Sequence, residues 1–174
     1  MLVANYDVTL VDHTQGSDKL LSLIQKHLQD LFNEVFSGGS DSATVSWGTA
    51  DGTEALVLHF VENVSSSYVM QKLPGKPIAS RDGGFTRTQN DTTGSEFYKF
   101  VDFGDGKLSQ VRASGMAFLA LHEGMHNKTG WDNTKLHGAD GGGGVAASPA
   151  GHSLTDKNKS IMQTAMARTN KQLK

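Results

Sequence analysis

In this chain of 174 residues, an apolar segment runs directly into three polar side chains, and this combination limits the possible folds more than any other part of the sequence. Residues 116–121 read Met-Ala-Phe-Leu-Ala-Leu, and His122, Glu123 and His126 follow at once. Such a run predicts a helix whose body is buried. Imidazole and carboxylate groups at the end of a buried helix are costly unless they have a partner such as a metal ion.

The spacing of these polar residues is the spacing that a zinc site needs. His122 and His126 are four residues apart, so both rings lie on one face of a helix and can reach one ion. Glu123 points in a neighbouring direction, where a carboxylate can hold a water molecule and take its proton. The pattern therefore predicts Zn²⁺ as the cofactor, two of its ligands and a general base. Gly124 costs about 1 kcal/mol of helix propensity relative to Ala, which favours close approach of another backbone or of substrate there.

A third zinc ligand has to come from elsewhere, because catalytic zinc usually takes three protein ligands and keeps one position for water. His137 is the preferred candidate, since Gly130 ends the helix and the following loop is long enough to bring an imidazole back. Asp132 in the same loop is the second choice, and His152 ahead of the last helix is the third. A carboxylate such as Asp140 stays open as well.

The first third of the sequence alternates strand and helix patterns. Residues 2–11 place apolar and polar side chains in turn, which predicts a half-buried strand. Ser17 is the predicted N-cap of an amphipathic helix that Gly38-Gly39 ends. Two more strands are expected at residues 43–48 and 54–61, the second nearly all apolar like a central strand.

The remainder of the sequence predicts loops, one more strand and two helices. Residues 65–94 have the composition of long loops with one short edge strand at most. A strand is expected at 97–103, Ser109 is the predicted cap of the helix that carries the polar cluster, and residues 153–156 form a predicted capping box for a last helix. The order predicts an α+β fold: a mixed twisted sheet with an N-terminal helix, an active-site helix and a C-terminal helix, in one catalytic domain over 1–174.

Composition removes several classes of function. The formal net charge of -2 gives no sign of nucleic acid or a membrane surface as a partner. The absence of cysteine excludes disulfides, thiolate ligands and a cysteine nucleophile. The N-terminus lacks the basic lead and apolar run of a signal peptide, and no segment has the length of a membrane-spanning helix. A cytoplasmic protein, or one exported by a signal-independent route, is expected.

Residues 122–126 match the His-Glu-x-x-His signature, and through them the chain resembles the zincin metallopeptidases. The resemblance implies a zincin-like fold, a zinc ion, Glu123 as the base and cleavage of a peptide bond. The order of elements also looks like the metzincin branch, where a glycine follows the second histidine by three residues and the third ligand follows it by six. Thr129 and Asp132 stand in those places, which keeps Asp132 open as a ligand. Met162 is similar to the methionine of the metzincin turn, although its helical setting favours a core residue.

These observations together predict a zinc-dependent metallopeptidase, with zinc on His122, His126 and His137 and water activated by Glu123. An extended peptide or protein substrate is expected to pair with a sheet edge beside the site. One alternative is a zinc amidase that acts on cell-wall peptides or small amides. The other is a binding module without catalysis, in which zinc is structural. A small toxin-like, phage-associated or secretion-associated bacterial enzyme, such as an effector, fits the compact chain.

Overall fold

The elements of the chain form one sheet with helices packed against it. The structure is a computed structural model that describes residues 3–14, 16–61, 84–86, 95–97 and 106–170. In chain order the elements are β1 (Asn5–Asp12), α1 (Asp18–Val35), β2 (Ser42–Trp47), β3 (Leu56–Phe60), β4 (Gly84–Thr86), β5 (Ser95–Phe97), α2 (Gly106–Thr129), α3 (Asn133–His137), a 3₁₀ turn (Gly144–Ala146) and α4 (Asp156–Ala165). This arrangement confirms the predicted α+β class.

The sheet is mixed, as predicted. Its five strands among the described residues lie in the order β2-β1-β3-β5-β4. The first four run parallel, and β4 is antiparallel to β5 at one edge. All five residues of β3 are buried, as its apolar sequence predicts for a central strand. Within the described residues β2 and β4 are the two edge strands, where a further strand could pair.

The core lies between α1, α2 and the sheet, which contact one another. The Ser17 hydroxyl accepts a hydrogen bond from Leu20 N at 3.3 Å and so caps α1. One stripe of α1 is buried, and it consists of Leu20, Ile24, Leu28, Leu31, Phe32 and Val35. Small residues of α2 are fully buried and allow the two helices to approach closely, namely Ala113, Ala117 and Ala120. The helical periodicity of the α1 segment therefore predicted its buried stripe, and the apolar run of α2 predicted that the body of this helix is buried.

Two predicted helix caps are wrong. Ser109 lies inside α2, which already includes Gly106. The last helix is capped by Thr155 and not by Ser153: the Thr155 hydroxyl accepts from Asn158 N at 3.1 Å, and Asn158 Oδ1 accepts from Thr155 N at 3.0 Å. Ser153 and Thr155 both precede the last helix, and the backbone conformation decides which of them caps it.

Some predictions fall outside the described residues. Most of the predicted loops at 65–94 and residues 98–103 of the predicted strand lie there, whereas β4 and β5 fall within described residues. In the part of the chain that the structure covers, no helix is both long and apolar enough to cross a membrane. A single catalytic domain over 1–174 stays a prediction.

Gly124 lies where α2 crosses β3. A Cβ atom at this position would be 3.0 Å from Leu56 Cδ2 and 3.8 Å from Leu58 Cδ2. The close approach predicted from the glycine is therefore made by apolar side chains of the central strand, and neither another backbone nor substrate is needed to explain it. Both leucines are fully buried, so they have little room to move.

Gly124→Val is expected to lower the free energy of unfolding by about 1–3 kcal/mol, because it overpacks this crossing. Urea unfolding of the metal-free protein measures the loss. Gly48→Val is the matched control, since a Cβ atom at Gly48 meets no atom within 4 Å. Equal unfolding midpoints for the two variants would contradict the close packing of α2 on β3.

Candidate metal centre

Three imidazoles converge where α2 and α3 meet. The Nε2 atom of His137 lies 3.2 Å from that of His126 and 3.3 Å from that of His122. Ligand atoms of all three residues lie within 4.8 Å of one another. A tetrahedral zinc ion with Zn–N bonds of about 2.0–2.1 Å separates its nitrogen ligands by about 3.3 Å. The spacing of the imidazoles fits one zinc ion.

The chain reverses within a few residues to bring His137 to the other two histidines. Gly130 adopts a positive φ of 68° directly after α2. Asp132 then caps α3, where its Oδ1 accepts a hydrogen bond from Lys135 N at 2.9 Å. Leu136 is fully buried and holds α3 against the core. His137 thus projects from a short helix and not from the loop that was predicted.

The other candidate ligands do not join this group. Within the described residues, the cluster of possible metal ligands contains His122, His126 and His137. Asp132, which the sequence leaves open, uses a carboxylate oxygen as the N-cap of α3. His152 is exposed and stacks on Phe118 with ring centroids 5.3 Å apart.

Two backbone carbonyls orient the histidines of α2. His122 Nδ1 is 2.7 Å from Val145 O, and His126 Nδ1 is 2.7 Å from Trp131 O. A carbonyl can only accept, so each Nδ1 carries the proton and donates it. Each Nε2 then presents its lone pair to the shared point, as a metal ligand must. Sequence reasoning missed both carbonyls, because a backbone acceptor has no signal in residue type.

Burial keeps these histidines neutral. It lowers the pKa of His122 to about 4, while the hydrogen bond to Val145 opposes that shift and the neighbouring His126 and His137 add to it. Burial is also the main cause that lowers the pKa of His126 and of His137. Metal binding requires neutral imidazole, so the site does not have to lose protons at neutral pH to accept an ion.

A glycine-rich turn leads into the 3₁₀ turn whose Val145 carbonyl accepts the hydrogen bond from His122. Gly142, Gly143 and Gly144 adopt positive φ values of 78°, 67° and 57°, which glycine tolerates without strain. The fully buried Asn158 donates from Nδ2 to Gly141 O at 2.7 Å and to Gly143 O at 3.1 Å. The start of α4 therefore holds the turn that presents the Val145 carbonyl.

Asn158→Ala is expected to lower the free energy of unfolding by about 2–4 kcal/mol, because it removes the cap partner and one hydrogen-bond donor to each of the Gly141 and Gly143 carbonyls. Zinc affinity is expected to fall by about 10–100-fold, since the support of His122 is lost. Denaturant unfolding and chelator competition measure the two effects. Thr164→Ala, an exposed change in the same helix, serves as the control. An unchanged affinity would mean that the turn keeps its shape without Asn158.

Glu123 is buried beside the histidines, with 5% of its surface exposed. Its Oε2 accepts a hydrogen bond from the Thr86 hydroxyl at 2.9 Å. The edge strand β4 therefore lies next to this carboxylate. Sequence reasoning missed Thr86, because the segment around it has the composition of a loop.

Met162 lies within α4 and is fully buried. It belongs to the hydrophobic core together with Met166. The helical setting that favoured a core residue over a metzincin-type turn is confirmed.

Comparison with known proteins bears on the fold. No protein-family model matches the sequence, and no curated protein is significantly similar to it in sequence. The chain aligns with myroilysin over 94% of its length and 93% of that chain, at 13% identity and a TM-score of 0.42, too weak a likeness to argue from. It aligns with archaemetzincin from Methanopyrus kandleri over 94% of its length and 97% of that chain, with 12% identity and a TM-score of 0.59. The chain thus has a fold similar to that of an archaemetzincin, which confirms the zincin-like architecture expected from the sequence.

Proposed function

We propose that this chain is a zinc-dependent peptidase in which His122, His126 and His137 hold the ion. The observation that carries the proposal is the convergence of three neutral imidazoles at the spacing of a zinc coordination sphere. The fold similarity to an archaemetzincin supports it. Three protein ligands leave one position of a tetrahedral ion for water or substrate, which is the arrangement of catalytic zinc and not of structural zinc.

Glu123 is proposed as the general base. Zinc, when bound, would polarise the carbonyl of the scissile bond and lower the pKa of a water molecule. Glu123 follows His122 directly on α2, and its buried carboxylate would take the proton of that water and pass it to the leaving amine. Burial excludes competing solvent from the carboxylate and strengthens its interactions with reacting groups.

The proposed substrate is an extended peptide or protein segment. In the described part of the sheet, β4 is an edge strand antiparallel to β5, and its Thr86 contacts Glu123. A substrate strand added to the outer side of β4 would lie beside the general base, and main-chain hydrogen bonds would position it with little demand on its sequence. That the chain is a bacterial effector, is cytoplasmic or is exported without a signal stays a prediction.

Measuring zinc content and peptide cleavage on the same protein distinguishes a peptidase from a zinc amidase and from a binding module with structural zinc. We expect about one zinc ion per chain by elemental mass spectrometry, and cleavage of fluorescein-labelled casein that 1,10-phenanthroline abolishes and added zinc restores. Cleavage of cell-wall peptides without cleavage of casein or of a quenched peptide library would favour an amidase. Zinc without any hydrolysis would favour a structural metal, and a protein that binds no zinc would refute the proposal.

A further inference from the structure

The Thr86 hydroxyl lies within hydrogen-bond distance of two oxygens of Glu123. It is 2.9 Å from the carboxylate oxygen Oε2 and 3.0 Å from the backbone oxygen. A hydroxyl has one proton to donate, and an ionised carboxylate is a stronger acceptor than a carbonyl. The backbone oxygen also lies inside α2, where helical carbonyls accept from the residue four positions later. The proton of Thr86 therefore goes to Oε2.

This hydrogen bond restricts a side chain that has three rotatable bonds. A general base is effective only when its oxygen is within hydrogen-bond reach of the proton that it takes. A glutamate that is free to rotate spends part of its time in rotamers that point elsewhere, whereas a contact at Oε2 fixes the plane of the carboxylate. The hydrogen bond from Thr86 to Oε2 therefore limits the orientations from which Glu123 would take the proton.

Strand pairing and helix packing fix the position of the Thr86 hydroxyl. Thr86 is opposite Ser95 in the antiparallel pairing of β4 with β5, and β4 also contacts α2. The strand that carries Thr86 is thus anchored on one side by β5 and packs on the helix that carries Glu123.

We propose that Thr86 is a positioning residue that orients the Glu123 carboxylate for proton transfer, an inference that rests on the proposed peptidase function. Hydrogen bonds to charged groups are among the stronger ones in proteins. Loss of this bond leaves the zinc ligands in place and acts on the chemical step, so its effect falls on kcat.

The test uses the full-length, zinc-loaded protein and an internally quenched peptide selected from a library for cleavage by the wild type. Thr86→Val removes the hydroxyl at nearly constant shape, and it is expected to lower kcat by about 10–100-fold with KM within about threefold of wild type. Thr86→Ser keeps a hydroxyl and is expected to retain kcat within about threefold. Thr44→Val, on the exposed face of β2, controls for the loss of a strand threonine.

Zinc content and melting temperature of each variant separate positioning from a structural role. The inference is overturned if Thr86→Val lowers kcat no more than Thr44→Val does, if Thr86→Ser is as slow as Thr86→Val, or if the loss of activity follows a loss of zinc. If Thr86→Val does not fold, Thr86→Ser is compared with Thr86→Ala, and equal kcat values for that pair overturn the inference.

Glu123→Gln measured in the same series separates failure of this inference from failure of the function. An active wild type, an inactive Glu123→Gln and an unaffected Thr86→Val would overturn the role of Thr86 and leave the peptidase intact. A zinc-loaded wild type that cleaves no peptide would overturn both.

Discussion

Glu123→Gln is expected to lower kcat by about 10²–10⁴-fold and to leave zinc content near that of the wild type. The amide has the shape of the carboxylate but cannot take a proton from water. The glutamine amide can place either its nitrogen or its oxygen next to the Thr86 hydroxyl. In neither orientation does the hydrogen bond with Thr86 hold a carboxylate in place as the proton acceptor. Steady-state kinetics on a quenched peptide and elemental analysis of the same preparation check the two halves of this prediction.

The matched control is Glu34→Gln. Glu34 lies on α1, is about half exposed and forms an ion pair with Lys159 at 3.2 Å. Solvent screens an exposed pair of this kind and it contributes little to stability, so neither activity nor zinc content is expected to change. If Glu123→Gln keeps the activity of the wild type, Glu123 is not the base and the water must be deprotonated by another group.

His137→Ala is expected to weaken zinc binding by more than about 100-fold, because loss of a direct ligand exceeds the 10–100-fold effect of losing an outer hydrogen bond. The Nε2 atom of His137 is the third nitrogen of the site, and it lies 3.2 Å from Nε2 of His126 and 3.3 Å from Nε2 of His122. Without it, two histidines four residues apart on one helix remain. Competition with a fluorescent zinc chelator measures the affinity, and peptide cleavage is expected to disappear with the metal.

Asp132→Asn and His152→Ala are the controls, since both residues are sequence candidates for the same ligand. Asparagine caps helices as well as aspartate does, so Asp132→Asn keeps α3 in place while it removes the negative charge. Both variants are expected to bind zinc like the wild type. Loss of zinc in Asp132→Asn together with its retention in His137→Ala would mean that the ion takes the carboxylate and that the imidazole triangle is not its site.

The sequence predicted the elements whose patterns are local. The buried stripe of α1, the alternation of β1 and the apolar run of β3 follow from side-chain period, and the structure has these elements with ends shifted by a few residues. The pair His122 and His126 follows from the pitch of a helix, which brings residues four apart together wherever the helix lies. No long-range information was needed for any of these predictions.

The sequence could not decide which of several residues of suitable type caps a helix or serves as the third zinc ligand. Ser109 and Ser153 have the residue type of a helix cap, yet α2 already includes Gly106 and Thr155 caps α4. His137 was preferred over Asp132 on ligand type and reach, and the structure groups His137 with the pair because Asp132 caps the helix that carries it. Each outcome depends on how the backbone turns, and several turns suit the same residues.

A buried helix with two histidines and a glutamate follows from the sequence alone, because helix pitch and a run of apolar side chains are properties of neighbouring residues. Tertiary packing sets what surrounds these three residues: the third imidazole from α3, the Val145 and Trp131 carbonyls that fix the tautomers, and the Thr86 hydroxyl from β4. Thr86 is 37 residues from Glu123 and Val145 is 23 from His122. Contacts over such separations arise from the packing of whole elements, and two of these four partners are backbone groups that every residue type possesses.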